Sequence, residues 1–160
     1  MTISFIGGGV MAESFIAGIL RENLIGADQI FVSDPIQDRR QYLTTTYKVN
    51  CVKDNLDILQ QEGKILLAVK PQTLPEVYQE LKGKIAPGRS IISIVAGCNS
   101  EDLASGLRHQ EIIRVMPRIV VGLGTSFQIV KPHRTASGMA TYSNGATTLA
   151  WATRYPCARQ

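Results

Sequence analysis

Thr2-Ile3-Ser4-Phe5-Ile6-Gly7-Gly8-Gly9-Val10-Met11-Ala12 is the stretch that decides the fold. Thr2–Ile6 is apolar, with β-branched and aromatic side chains, and it ends abruptly in three glycines, which reads as a buried strand entering a tight turn. From Val10 to Asn23 the apolar residues Val10, Phe15, Ile19 and Leu20 recur at helical spacing. Residues 7–12 match G-x-G-x-x-A across that strand–turn–helix junction. Gly7 permits the turn, Gly9 lets a pyrophosphate reach the backbone, and Ala12 lets the helix pack closely on the sheet. The helix start supplies unpaired N–H groups and a partial positive charge.

The same alternation continues downstream. Strands are expected at Gln29–Val32, Lys48–Val52, Lys64–Val69, Ser90–Val95 and Glu111–Val115. Helices are expected at Asp38–Thr45, Asn55–Gln60, Leu74–Leu81 and Ser100–Leu107, the last with Ser100 as N-cap. Continuous apolar strands separated by helices predict an α/β, doubly wound, mostly parallel sheet of Rossmann type, covered on both faces.

In such a sheet ligands bind at the carboxyl ends of the strands. The unusual residues fall at those ends: Gly7–Ala12, Ser33-Asp34, Asn55, Lys70-Pro71, Ala96-Gly97 and Met116-Pro117. Asp34 lies 25 residues after Gly9, where an acid accepts hydrogen bonds from the adenosine ribose. It would repel a 2′-phosphate, by up to about 4 kcal/mol at about 4 Å and an effective dielectric near 20, which leans toward NAD(H). Arg39 and Arg40, one helical turn on, could swing in to hold such a phosphate, so NADP and NAD both stay open. Asn55 is a candidate for adenine or its ribose, or a plain helix cap. The Ala68–Pro71 backbone would line the nicotinamide end, with Lys70 there or merely solvated. His109 reads as a surface residue. No triad, metal set or acid–base pair is visible, so no catalytic residue is assigned.

Composition sets the limits. The 160 residues are 44% hydrophobic and 19% charged, as in one soluble domain of about 150 residues, large enough to bury a core without disulfides. The formal charge of +4 hides a division. All 13 acids lie between Glu13 and Glu111, and residues 118–160 hold five scattered basic residues and no acid. That scatter argues against a nucleic-acid patch. Cys51, Cys98 and Cys157 form no CxxC pair, so reduced thiols in the cytoplasm are expected. Met1–Leu20 lacks a basic start and is interrupted by Glu13 and three glycines, so neither a signal peptide nor a membrane span is expected.

The chain resembles the pyrroline-5-carboxylate reductase family. The matching stretches are Phe5–Ala12, Leu67-Ala68-Val69-Lys70-Pro71-Gln72, Ile92–Gly97 and Ile113-Arg114-Val115-Met116-Pro117, in the family's order and spacing. The resemblance implies binding of NAD(P)H by Ile6, Gly7, Gly8, Gly9, Val10 and Met11, by Asp34 and Asn55, and by Ala68, Val69, Lys70 and Pro71. It implies hydride transfer to the ring C=N of 1-pyrroline-5-carboxylate, giving proline, and a homo-oligomer built by a second, helical domain that is expected to be absent here.

After Met116-Pro117 the family continues Asn-Thr-Pro-Ala, whereas Arg118-Ile119-Val120-Val121 follows here. Gly122–Ser126 faintly resembles the family's next strand, and residues beyond it match nothing. The expected organisation is therefore a dinucleotide-binding domain over 1–117, reaching at most 126, and an irregular tail over 118–160. A frame shift or truncation near residue 118 would account for the break; an uninterrupted frame on resequencing several isolates would exclude it. Two readings compete with a reductase. One is a catalytically inactive dinucleotide-binding module. The other is a different reductase on the same domain, such as a 3-hydroxyacid dehydrogenase or a deazaflavin-dependent enzyme, against which the Lys70–Gln72 and Arg114–Pro117 stretches speak.

Overall fold

A computed structural model describes residues 1–120 and 124–132, with side chains described through Met116. Strand β1 (Ile3–Ile6) leads through the glycine turn into helix α1 (Val10–Arg21). Strand β2 (Ile30–Ser33), helix α2 (Gln37–Tyr47), strand β3 (Asn50–Val52) and helix α3 (Asn55–Leu59) follow. Next come β4 (Lys64–Leu67), α4 (Leu74–Leu81), β5 (Ile91–Ser93) and α5 (Ser100–Leu107). Strands β6 (Ile112–Val120) and β7 (Gly124–Pro132) complete the described chain.

The strands form one sheet in the order β3-β2-β1-β4-β5-β6-β7. The first six run parallel, and β7 is antiparallel to β6. The expected doubly wound architecture is thus present. The order reverses beside β1, whose neighbours are β2 and β4, and a ligand crevice opens at such a switch point. The ladder brings the strand ends level: Ile6 pairs with Ser33 on one side and with Leu67 on the other.

The run of apolar residues in each strand is explained by burial on both faces. Successive side chains point to opposite sides. Ile3, Phe5, Ile30, Val32 and Leu66 therefore pack with Ala12, Phe15 and Ile16 of α1 and Leu43 of α2. Ile6, Ile65, Leu67 and Ile91 pack on the other face with Ile58, Val77, Leu81 and Leu103 from α3, α4 and α5.

Three expectations are corrected. The sixth strand does not stop at Met116-Pro117 but continues to Val120 and pairs with β7, so the region after residue 117 begins as a strand pair. The ladder of β6 with β5 ends at Arg114, and proline is tolerated where a strand has a neighbour on one side only. The cap of α5 is Asn99, whose side chain accepts from the Asp102 N–H at 2.7 Å, rather than Ser100. His109 is buried at 6% exposure. Arg108 takes a left-handed conformation (φ 51) at the end of α5 and turns His109 inward, where its ring nitrogen meets the Arg89 carbonyl at 2.6 Å. Residues 133–160, with His133 and Cys157, lie outside the described residues.

Candidate functional site

The glycine turn divides into a tight half and an open half. Gly7 has φ +94, and a Cβ there would lie 2.8 Å from the Ala68 carbonyl oxygen and 3.0 Å from Val69 Cγ1. Its N–H donates to the Ser33 carbonyl at 2.9 Å, while the Ala68 N–H donates to the Ile6 carbonyl at 2.9 Å. Only a residue without a side chain fits between the β2 end and the Ala68-Val69 backbone. Gly9 differs: its backbone is extended (φ −66, ψ −177), and a Cβ there would meet nothing within 4 Å. It is the N-cap of α1, with no side-chain cap. The first-turn N–H groups of α1 have no acceptor one turn earlier. They sit beside open space, the arrangement that accepts an anion.

Asp34 is buried, and both its carboxylate oxygens are engaged. Oδ2 accepts from the Gly8 N–H and Oδ1 from the Ile36 N–H, each at 2.9 Å. The acid that sequence places at the ribose thus also ties β2 to the glycine turn. Asn55 is the first residue of α3 and makes no cap bond; its oxygen accepts from Ser33 Oγ at 2.7 Å, and its amide donates to Glu80 Oε2 at 2.6 Å.

Asn55 stands in a cleft of about 320 Å³, bounded by Gly7, Ser33, Pro35, Leu56, Val69 and Val77, with Glu76 and Glu80 along α4. Lys53, Asp54 and Thr73 complete its lining, so apolar wall from Pro35, Leu56, Val69 and Val77 alternates with polar and charged groups. A larger, open hollow of about 830 Å³ lies among Gln60–Lys64 and Ala86–Ser90, at the amino ends of β4 and β5. That is the wrong end of a parallel sheet for a ligand.

Of the sequence-predicted site residues, Gly7, Asn55 and Val69 line the smaller cleft, while Asp34 is tied to Gly8 and Ala68 packs against Gly7. Lys70 is exposed, and its carbonyl accepts from the Thr73 N–H at 2.9 Å, so Pro71 opens a short 3-10 turn. Ala96 and Gly97 are exposed at the β5 end, and Met116 is half exposed.

Sequence reading missed a cluster behind the turn. Glu13 of α1 accepts from Arg39 Nη2 at 2.5 Å, from Tyr42 Oη at 3.0 Å and from Tyr47 Oη at 2.9 Å. Burial pushes the Glu13 carboxyl up, but the bonds from Arg39, Tyr47 and Tyr42 outweigh it and hold its pKa below the ordinary value. Burial, and then the Glu13 hydrogen bond, push the Tyr47 phenol up to about 12. One signal was available: an acid in the first turn of a helix meant to hold a diphosphate calls for a compensating cation. Arg40 donates to the Asp34 carbonyl at 2.7 Å.

A glycine turn of this kind at a switch point defines a dinucleotide-binding domain. Residues 2–97 match the family described as NADP oxidoreductase, coenzyme F420-dependent, and the chain belongs to it. The chain is also similar to pyrroline-5-carboxylate reductases. That of Synechocystis sp. is 35% identical over 147 residues, 88% of this chain and 55% of that protein. That of Pasteurella multocida is 40% identical over 121 residues, 72% of this chain and 43% of that protein. Among solved structures, the pyrroline-5-carboxylate reductase of Coxiella burnetii superposes with a TM-score of 0.72 at 26% identity, covering 81% of this chain and 50% of that one. The Plasmodium falciparum pyrroline carboxylate reductase, solved with NADP bound, gives 0.66 at 25% identity, covering 82% and 48%. The chain spans about half the length of the relatives it matches. Among the described residues no helix is long and apolar enough to cross a membrane, and no cluster of metal-binding side chains occurs.

Proposed function

We propose that this chain carries the coenzyme-binding domain of a cytoplasmic pyrroline-5-carboxylate reductase, taking NADPH or NADH for reduction of the ring C=N of 1-pyrroline-5-carboxylate to proline. The observation that carries this reading is the uncapped start of α1 beside the open face of Gly9. In it, the Ile6–Met11 backbone receives the diphosphate, Asp34 the adenosine ribose and Asn55 the adenine side of the cleft. Ala68, Val69, Lys70 and Pro71 border the nicotinamide. When bound, the nicotinamide supplies the hydride. The protein's part is to fix the coenzyme so that donor and acceptor come within about 3.5 Å. The domain is drawn over residues 1–117, and the pairing of β6 with β7 supports carrying it to Pro132. Homo-oligomerisation, as the family resemblance implies, belongs to the same proposal, and the free thiols of Cys51 and Cys98 support the cytoplasm.

A second reading is coenzyme binding without turnover. It is favoured by the exposure of Lys70, Ala96, Gly97 and Met116 along the side where the acceptor must sit.

Fluorescence titration of the purified chain with NADPH and NADH tests the reading. Saturable binding is expected, and its loss in Gly9→Val with the cooperative melt retained, because a Cβ at Gly9 meets no protein atom within 4 Å. No binding at millimolar coenzyme, or wild-type affinity in Gly9→Val, overturns it. Proline formation from pyrroline-5-carboxylate by the same preparation decides between reductase and binding module.

A further inference from the structure

The two neighbouring arginines that sequence offers as alternative holders of a 2′-phosphate have different surroundings. Arg40 donates to the Asp34 carbonyl from the surface of α2. Arg39 is committed inward on three sides. Its Nε donates to the Gly8 carbonyl at 2.5 Å, its Nη2 to Glu13, and its guanidinium lies 5.1 Å from the centre of the Tyr42 ring. Only 22% of its side chain is exposed, and 21% of that of Glu13.

We propose that Arg39 is a positioning residue for the diphosphate cradle and not a ligand of the 2′-phosphate. The inference rests on the coenzyme reading above and adds a role to it. The Gly8 carbonyl and the Gly9 N–H belong to one planar trans peptide and point in opposite directions. Drawing the carbonyl toward α2 therefore aims the Gly9 N–H away from α2. Asp34 holds the preceding peptide through the Gly8 N–H, so Gly8 is gripped from both sides by residues that follow β2. Arg39 also neutralises Glu13, whose charge would otherwise stand in the first turn of α1, close to the bound diphosphate. The Tyr42 and Tyr47 hydroxyls take the other carboxylate oxygen of Glu13 and fix it in place. Both effects act on the diphosphate, which NADH and NADPH share.

Arg39→Ala should weaken NADH and NADPH by a similar factor, about tenfold or more, the usual effect of losing a charged hydrogen bond. Arg39→Lys should fall between, because one ammonium cannot serve both Gly8 and Glu13. The titrations are run on the full chain beside thermal melts. A loss confined to NADPH would make Arg39 a 2′-phosphate ligand and overturn the proposal. A lowered melting temperature with wild-type affinity for both coenzymes would make it structural only and overturn it as well. If Arg39→Ala does not fold, Arg39→Lys carries the same comparison, with an equal loss expected for both coenzymes. Failure of the wild-type chain to bind either coenzyme would instead sink the coenzyme reading, and this inference with it.

Discussion

The two banks of the crevice are built differently. On the β1–β2 bank, side chains lock the backbone: Asp34 holds the Gly8 N–H, Arg39 the Gly8 carbonyl and Arg40 the Asp34 carbonyl. Ser33, Asn55 and Glu80 extend the lock across to α4. On the β4–β5 bank, Lys70, Ala96 and Gly97 stand exposed, and backbone bonds such as Thr73 N–H to the Lys70 carbonyl hold the loops. One bank is preorganised before any ligand arrives, which lowers the ordering cost of binding. That bank is where the shared, invariant part of a dinucleotide would rest. The other bank leaves room where chemistry would vary.

The most severe way to break this contrast is to fill the seam between the banks. Gly7→Ala places a Cβ against the Ala68 backbone and forces alanine to a positive φ. A loss of about 3 kcal/mol is expected from strain and overpacking together, read in a urea or thermal unfolding curve. A loss under about 1 kcal/mol would show that the seam relaxes easily.

A paired truncation sharpens it. Asp34→Ala leaves the Gly8 and Ile36 N–H groups without their acceptor and should cost about 2 kcal/mol. Lys70→Ala on the opposite bank should change stability by less than about 0.5 kcal/mol. Equal effects in the two melts would erase the difference between the banks.

The smallest effect concerns acid. The folded pKa of Glu13 is lowered from its ordinary 4.5, so on acidification the unfolded chain takes up the proton first. The contribution of Glu13 is therefore full above the unfolded value and is lost as pH falls through the folded one. For a partly exposed pair it is worth about 1 kcal/mol or less. The melting-temperature gap between wild type and Glu13→Gln should accordingly narrow between neutral pH and about pH 3.5. A gap that stays constant would mean that the carboxylate charge contributes nothing.

What the sequence revealed follows from how local each feature is. The glycine turn was legible because no other residue can occupy Gly7, and the strands because burial on both faces leaves continuous apolar runs. The strand through Pro117 was hidden, since proline reads as a breaker unless the strand is known to have one neighbour. Burial of His109 depends on the left-handed turn at Arg108, which composition does not announce. Asn99 and Ser100 are both good caps one position apart, and only geometry separates them. The Arg39–Glu13 contact joins residues 26 positions apart on two helices, beyond the reach of any periodicity. Its trace was the odd placement of an acid, which chemistry could question but not answer.

Because β1 ends on the same rung as β2 and β4, the shelf under the crevice is set by interstrand pairing and not by the loops that leave it. Neighbouring strands lie about 4.8 Å apart, so this three-strand shelf is roughly 10 Å across. Lengthening or exchanging a loop beyond Ser33 or Leu67 changes what stands above the shelf without shifting the shelf itself. A chassis of this sort can be refitted piece by piece.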